Sequence, residues 1–378
     1  MANKFLQEAK ESKNDEFYTL YSDIENELKF YKNHFKGKII YCNADDPYKS
    51  NFFKYFVINF NSLGLEKLIA TCYSGLSNTE QQFAVFDITD TKKKRALKIE
   101  IKEVDICNDD SVDITDVDFL LKNINNTISY LKGNGDFRSE ECVECLKEAD
   151  IVVTNPPFSL FREYIGLLMK HDKKFLVIGA INIITYKDVF PLIKDRKLFL
   201  GVTKRGTCCV FEVPDHYKKF HKIDNGKKIM FFGNITWFTN LDHGQTPEKL
   251  DLHKRYYGNE HYYPKYENYD AINVDRTLDI PIDYDGVMGV PISFINKWNP
   301  DQFEIITLGQ KCFIKFTKNK AMEFLYKGNP TGKIVKNAKG NLYRLYNPDT
   351  DKYPIYRDVE TGQLYTSIYA RVLIKRKY

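Results

Sequence analysis

The sequence predicts an α/β fold: a doubly wound, mostly parallel sheet carrying an antiparallel hairpin, joined to a smaller β-rich region. Three observations lead there. Residues 148–161 read Glu-Ala-Asp-Ile-Val-Val-Thr-Asn-Pro-Pro-Phe-Ser-Leu-Phe, and the β-branched run Ile151 to Val153 has the character of a short strand covered on both faces, as in parallel sheets. Lys38 to Asn59 reads as strand, loop and helix in succession, the order of a first βα unit. From Asp242 onward the composition shifts toward tyrosines and basic residues, with short strand-like runs between turn signals.

Residues 1–20 are polar as far as Glu16-Phe17-Tyr18-Thr19. Ile24, Leu28, Tyr31 and Phe35 then recur at helical spacing, from Asp23 until Gly37 stops the helix. Lys38 to Cys42 is the first strand, Asn43 to Ser50 the loop at its carboxyl end, and Asn51 to Asn59 a helix. No glycine stands between Gly37 and Gly64, so this unit lacks the phosphate-cradling glycine pattern. Leu68 to Tyr73 is the second strand; Phe83 to Asp87 and Leu97 to Val104 are expected to form a hairpin inserted before the core resumes. A helix is expected over Phe119 to Leu131, after which Gly133 to Phe137 marks the end of the next strand position. Leu160 to Lys170 reads as a helix and Lys174 to Ala180 as another buried strand, continued by Ile181 to Tyr186 toward the same edge. Thr207 to Val213 and Gly233 to Asn240 are expected to form the antiparallel hairpin that ends the sheet, with Trp237 or Phe238 either lining a pocket or packing in the core.

With 378 residues there is room for two domains, expected at 1–245 and 246–378, a return of 286–305 onto the core being left open. Lys311 to Tyr378 holds 15 Lys and Arg against 5 Asp and Glu, a charge of +10; the whole chain carries +5, so the preceding residues carry −5. That asymmetry suits one domain holding a polyanion. His253 to Tyr269 has six tyrosines among five basic or His residues and almost no aliphatics, which predicts a surface for phosphates and stacked bases rather than a packed core. Eight cysteines, no amino-terminal apolar signal run and no apolar stretch of about 18 residues point to a reducing, cytoplasmic protein outside membranes. Cys142 and Cys145 lack a second ligand pair, so no metal site is expected.

The turn after Thr154 has a specific chemistry. Pro156 and Pro157 cannot donate to a ladder, so the strand stops at Asn155, at the sheet edge where open α/β folds bind ligands. The Pro156 carbonyl becomes a stiff outward acceptor, the Asn155 side chain adds another, and Phe158 offers a flat apolar face. Such a turn suits a planar molecule with an exocyclic amine, an extruded adenine for example; a plain turn is the alternative.

These residues carry a resemblance. Asp150 to Phe158 resembles motif IV of the amino-group methyltransferases, and the chain more broadly resembles the EcoRI-type adenine-specific DNA methyltransferases of restriction–modification systems. The similar stretches are 14–19, 37–47, 50–56, 135–137, 154–158, 233–241 and 285–291. The resemblance implies a Rossmann-like core dependent on S-adenosylmethionine, with Asn155, Pro156, Pro157 and Phe158 catalytic. It further implies cofactor contacts from Phe17, Tyr18 and Thr19 (motif X), from Cys42, Asn43, Asp45 and Asp46, from Asp136 and Phe137 (motif III), and from Asn155. Helix capping is the alternative role for Asp45 or Asp46, and a plain turn for Asp136. Motif order resembles the γ class. The implied partner is double-stranded DNA, methylated on adenine N6 by a monomer, with any companion endonuclease acting separately. Methylation of RNA or of protein glutamine, and DNA binding without catalysis, remain as alternatives; a dinucleotide oxidoreductase is disfavoured by the missing glycines.

Overall fold

The computed structural model describes residues 18–43, 47, 49–74, 96–104, 127–203, 210–213, 220–317 and 320–377. The chain packs as two compact units, Met1–Ile183 with Leu198–Gly244, and Ile184–Lys197 with Gln245–Tyr378.

In the first unit the described elements are β1 (Tyr18–Thr19), α1 (Tyr21–Leu28), α2 (Lys32–Phe35), β2 (Ile39–Asn43), α3 (Asn51–Ile58), α4 (Phe60–Leu63), β3 (Lys67–Thr71), β4 (Leu97–Ile101) and β5 (Thr127–Tyr130). They continue with α5 (Glu140–Glu148), β6 (Ile151–Thr154), α6 (Phe161–Lys170) and β7 (Lys174–Ala180). After an excursion into the second unit, α7 (Phe190–Lys194), the chain returns as β8 (Phe199–Leu200), β9 (Val210–Val213), β10 (Lys222–Asp224), β11 (Lys227–Phe231) and β12 (Ile235–Thr239). Ile24, Leu28, Tyr31 and Phe35 are all fully buried as their spacing predicts, although the helix breaks between α1 and α2.

Eight strands form the central sheet in the order β5-β4-β3-β2-β6-β7-β12-β8. β3, β2, β6 and β7 are mutually parallel; β12 opposes both β7 and β8. β4 opposes β3 and β5 opposes β4, so β5 points the same way as β3. The carboxyl ends of β2, β3, β5, β6 and β7 therefore share one edge, the edge where ligands collect in open α/β sheets. Asp150 sets the β2–β6 register: its carboxylate accepts from Ile39 N at 2.9 Å while its own N–H donates to the Ile39 carbonyl at 2.9 Å. Trp237 and Phe238 are core residues, meeting Phe52 at 5.7 Å and Phe161 at 5.5 Å.

Three expectations need correction. Leu97–Ile101 is a strand of the central sheet itself, not the arm of an inserted hairpin; its expected partner, 83–87, lies outside the described residues. Within the expected helix 119–131, residues Thr127–Tyr130 form edge strand β5, consistent with the β-branched Thr127 and Ile128 followed by Tyr130. The expected hairpin of 207–213 with 233–240 divides between two sheets. β12 joins the central sheet, whereas β9 sits in a small antiparallel sheet, β1-β9-β11-β10. The true hairpin there is β10–β11, closed by Asn225 and Gly226 at φ 46° and 78°, the left-handed pair of a type I′ turn.

The second unit adds β13 (Ile272–Asn273), β14 (Met288–Pro291), β15 (Phe303–Leu308), β16 (Ala321–Tyr326), β17 (Asn329–Lys336), β18 (Leu342–Leu345), β19 (Tyr356–Asp358), β20 (Leu364–Ile368) and β21 (Arg371–Arg376). They form two sheets, β13-β14-β21-β15 and β17-β16-β19-β20-β18. β14 and β15 flank β21, so residues 286–305 build this unit's own sheet. α7 belongs with them: Lys194 Nζ donates to the Ile306 carbonyl at 2.7 Å and Phe190 meets Phe313 at 5.3 Å. The tyrosine-rich stretch is more packed than its composition implies. Tyr256, Tyr263 and Tyr266 are buried, and Tyr256 meets Tyr263 at 5.8 Å and Tyr284 at 4.5 Å, whereas Tyr257 and Tyr262 are 64% and 69% exposed.

Candidate active site

All four residues of β6 are buried, and at its end the Thr154 hydroxyl donates to the Asn43 carbonyl, tying the carboxyl end of β6 to that of β2. The prolines then stop the ladder. The Pro157 carbonyl accepts from Leu160 N at 3.0 Å, opening a single 3₁₀ turn, Phe158–Leu160, that leads into α6. Pro156 is buried, and its carbonyl accepts no hydrogen bond among the described residues. Asn155, Pro157 and Phe158 are half-buried. The Phe158 ring meets the edge of Phe211 at 6.3 Å, and Phe211 of β9 pairs in register with Thr19 of β1.

The neighbouring side of the same edge is held by α6. Its buried Tyr164 hydroxyl donates to the Asn43 side-chain oxygen, and burial pushes that phenol well above its ordinary pKa. The Tyr164 ring meets Phe137 at 5.0 Å. One residue earlier, Glu163 accepts from Arg138 at 2.7 Å, and Arg138 grips Asp136 through Nε at 2.8 Å and Nη2 at 2.7 Å. Those Arg138 bonds hold the Asp136 carboxyl below its usual range, so it is an ionised acceptor. The loop bearing it lies against the end of β3: Ser74 N donates to the Asn134 carbonyl at 2.8 Å. A Cβ on Gly135, at φ +75°, would stand 2.1 Å from the Cys72 carbonyl, so only glycine fits that approach. On the far side, the Thr19 carbonyl accepts from Asn51 Nδ2 at 2.7 Å, and its hydroxyl is buried without a partner among the described residues.

Tyr18, Thr19, Cys42, Asn43, Asp136, Phe137 and Asn155 to Phe158 thus gather on one edge of the first unit. Phe17, Asp45 and Asp46 lie outside the described residues. The capping alternative for the two aspartates falls to another residue, because the α3 cap is Ser50, whose hydroxyl accepts from Phe53 N at 3.3 Å. Sequence reasoning missed Tyr164, Arg138, Glu163 and Phe211. A tyrosine inside the apolar stripe of α6 was the one available signal, since a buried phenol needs a partner. Burial raises the Cys145 thiol to about 11, and no group of three or more His, Cys, Asp or Glu among the described residues is placed to hold a metal.

The residues present fit S-adenosylmethionine: a buried Thr19 hydroxyl without a partner among the described residues, an ionised Asp136 and the end of β2 lie along one edge. Comparison with known proteins agrees. The family model of the adenine-specific methyltransferase EcoRI matches residues 5–377. Type II methyltransferase M.EcoRI of Escherichia coli is 51% identical over 312 residues, covering 80% of this chain and 89% of its own. Type II methyltransferase M.MpnI of Mycoplasma pneumoniae is 40% identical over 309 residues, covering 80% and 85%. No solved structure matches. Matched by that model almost from end to end, the chain belongs to the EcoRI family of adenine-specific methyltransferases.

Proposed function

We propose that the protein methylates N6 of adenine in double-stranded DNA with S-adenosylmethionine, as the modification enzyme of a restriction–modification system. The observation that carries this reading is the link between the two sides of the site: Thr154, which precedes the Asn155-Pro-Pro-Phe158 elbow, bonds to Asn43 at the end of β2. Acceptors for a target amine therefore stand next to the strand end where the cofactor belongs.

S-adenosylmethionine, when bound, supplies an electrophilic methyl on a sulfonium. Thr19, Asn43, Asp136 and Asn155 are the described residues that would hold it, with Tyr18, Cys42 and Phe137 shaping the walls. The chain's own work concerns the base. An adenine taken out of the duplex stacks on Phe158, and its amine donates to the Asn155 side-chain oxygen and the Pro156 carbonyl. Conjugation with the ring makes that amine a poor nucleophile. Two fixed acceptors localise its lone pair and aim it, so positioning and preorganised polarity supply most of the acceleration. No proton need leave before transfer, because hydrogen bonds to the same acceptors stabilise the positive charge that develops on the nitrogen; the methylated nitrogen then gives up one proton to solvent.

The second unit suits target recognition. Exposed Tyr257 and Tyr262 stand among Lys254, Arg255 and His261, and the stretch from 311 onward carries the +10 charge, features that favour phosphates and bases. The reading makes the enzyme a cytoplasmic monomer acting apart from any endonuclease; the thiols Cys142, Cys145 and Cys312 suit a reducing compartment.

A tritium-transfer assay with duplex DNA, RNA and protein side by side tests the substrate: label on duplex DNA alone, recovered as N6-methyladenine, is expected. Label on RNA or protein instead would sink the reading. The missing glycine pattern between Gly37 and Gly64 favours one rival, a DNA-binding protein with a decayed cofactor site, and absence of S-adenosylmethionine binding in a calorimetric titration would support it.

A further inference from the structure

The helix that follows β1 carries two buried acids one turn apart, and both act on the same connection. Glu27 of α1 is completely buried and its carboxylate accepts from four donors: Val202 N at 2.8 Å, Thr203 N at 2.8 Å, the Thr203 hydroxyl at 2.5 Å and the Tyr31 hydroxyl at 2.9 Å. Gly201 lets the backbone approach, since a Cβ there would stand 2.4 Å from Glu27 Oε1 and 2.5 Å from Trp237 Cβ. Asp23, also buried, accepts from Val210 N at 2.8 Å. One carboxylate thus holds the chain where it leaves β8, and the other holds it where it enters β9. Immediately after Val210 comes Phe211, fully buried, whose ring meets both Phe158 and Phe232.

We propose that Asp23 and Glu27 are positioning residues for the base side of the reaction: by holding both ends of the β8–β9 connection they set Phe211, and through it the ring of Phe158. This inference rests on the reading of Phe158 as the platform for the extruded adenine. Chemistry explains why acids are needed. The donors converging on Glu27 are backbone N–H and hydroxyl groups, and a carboxylate is the side chain that can only accept. A glutamine there turns an N–H toward other donors and loses part of the grip, with almost no change in size. Phe211 also pairs with Thr19 of β1, so a small loss of cofactor affinity is expected, but the acids grip the β8–β9 connection and the larger effect should fall on the base step.

The test compares Glu27→Gln, Asp23→Asn and the milder Thr203→Val with the intact enzyme, after the methylated site has been mapped by sequencing. Three quantities are read: calorimetric affinity for S-adenosylmethionine, single-turnover transfer, and fluorescence of duplex DNA with 2-aminopurine at the target position. The expected result is cofactor affinity within about threefold, transfer slowed about tenfold or more in Glu27→Gln, and a weaker extrusion signal in proportion. Asp23→Asn and Thr203→Val should follow in the same direction to a smaller extent. If Glu27→Gln does not fold, Thr203→Val alone carries the test. Folded variants with unchanged transfer and extrusion, or with cofactor affinity lost in step with rate, would overturn the assignment. Failure of the underlying reading is separate: it would show as near-normal transfer by Phe158→Ala, whatever the α1 variants do.

Discussion

The buried hydroxyl of Tyr164 donates to the side-chain oxygen of Asn43, joining the helix after the elbow to the end of the first central strand. Removing that donor leaves a buried amide oxygen without its partner, which typically costs about 1–3 kcal/mol. Tyr164→Phe should therefore lower stability by that amount in denaturant titration. It should also weaken S-adenosylmethionine binding in calorimetry, because Asn43 is freed to turn. Unchanged stability and affinity would mean the bond has no part in shaping the site.

On the proposed mechanism, Asn155→Ala removes one of the two acceptors for the target amine. Loss of a preorganised hydrogen-bonding group of this kind lowers kcat about 10²- to 10³-fold. Cofactor affinity should change little. Rapid-quench transfer at the wild-type rate would falsify the role given to Asn155.

Gly135 offers a test of the motif III loop. Its φ of +75° disfavours any side chain, and a Cβ would press on the Cys72 backbone. Gly135→Ala should destabilise the protein by roughly 2 kcal/mol or more and reduce cofactor affinity, because the clash is with main chain that cannot swing aside. Thermal unfolding and calorimetry read both effects.

The Asp136–Arg138 pair predicts a pH dependence. Arg138 lowers the folded-state pKa of Asp136 below its unfolded value, so this group adds stability above about pH 3.9 that is lost as pH falls through the lower folded value. Arg138→Gln should abolish that contribution. The difference between the two proteins should be present at pH 7, amount to no more than about 1 kcal/mol because Arg138 is half exposed, and shrink in acid. Urea titrations across that range give the answer; a gap that widens toward low pH would contradict it.

Legibility in the sequence followed the reach of each signal. β6 and its elbow could be read directly, since three β-branched residues and two prolines act within a few positions. The buried face of α1 and α2 was equally plain from spacing alone. The alternation of Leu97–Ile101 identified a strand but not its neighbour, because nothing local says that an antiparallel strand will sit beside β3. Thr127–Tyr130 was misread because it is an exposed edge strand, so its pattern carries no burial alternation. At the candidate site, the family resemblance named the residues of the elbow and of the neighbouring strand ends. Tyr164, Phe211 and Glu27 escaped because their meaning lies in partners far along the chain or in another sheet: Asn43 is 121 positions from Tyr164, and Val202 is 175 from Glu27.

The excursion of Ile184–Lys197 has a practical bearing on modular exchange. The polypeptide passes between its two units three times, so a cut at Gly244 does not separate them. A fragment ending there would retain α7 while losing β15 and Phe313, and would turn Phe190 and Ile193 toward water, inviting aggregation. An exchange of the second unit between relatives should move residues 184–197 together with 245–378, as one cassette in two pieces.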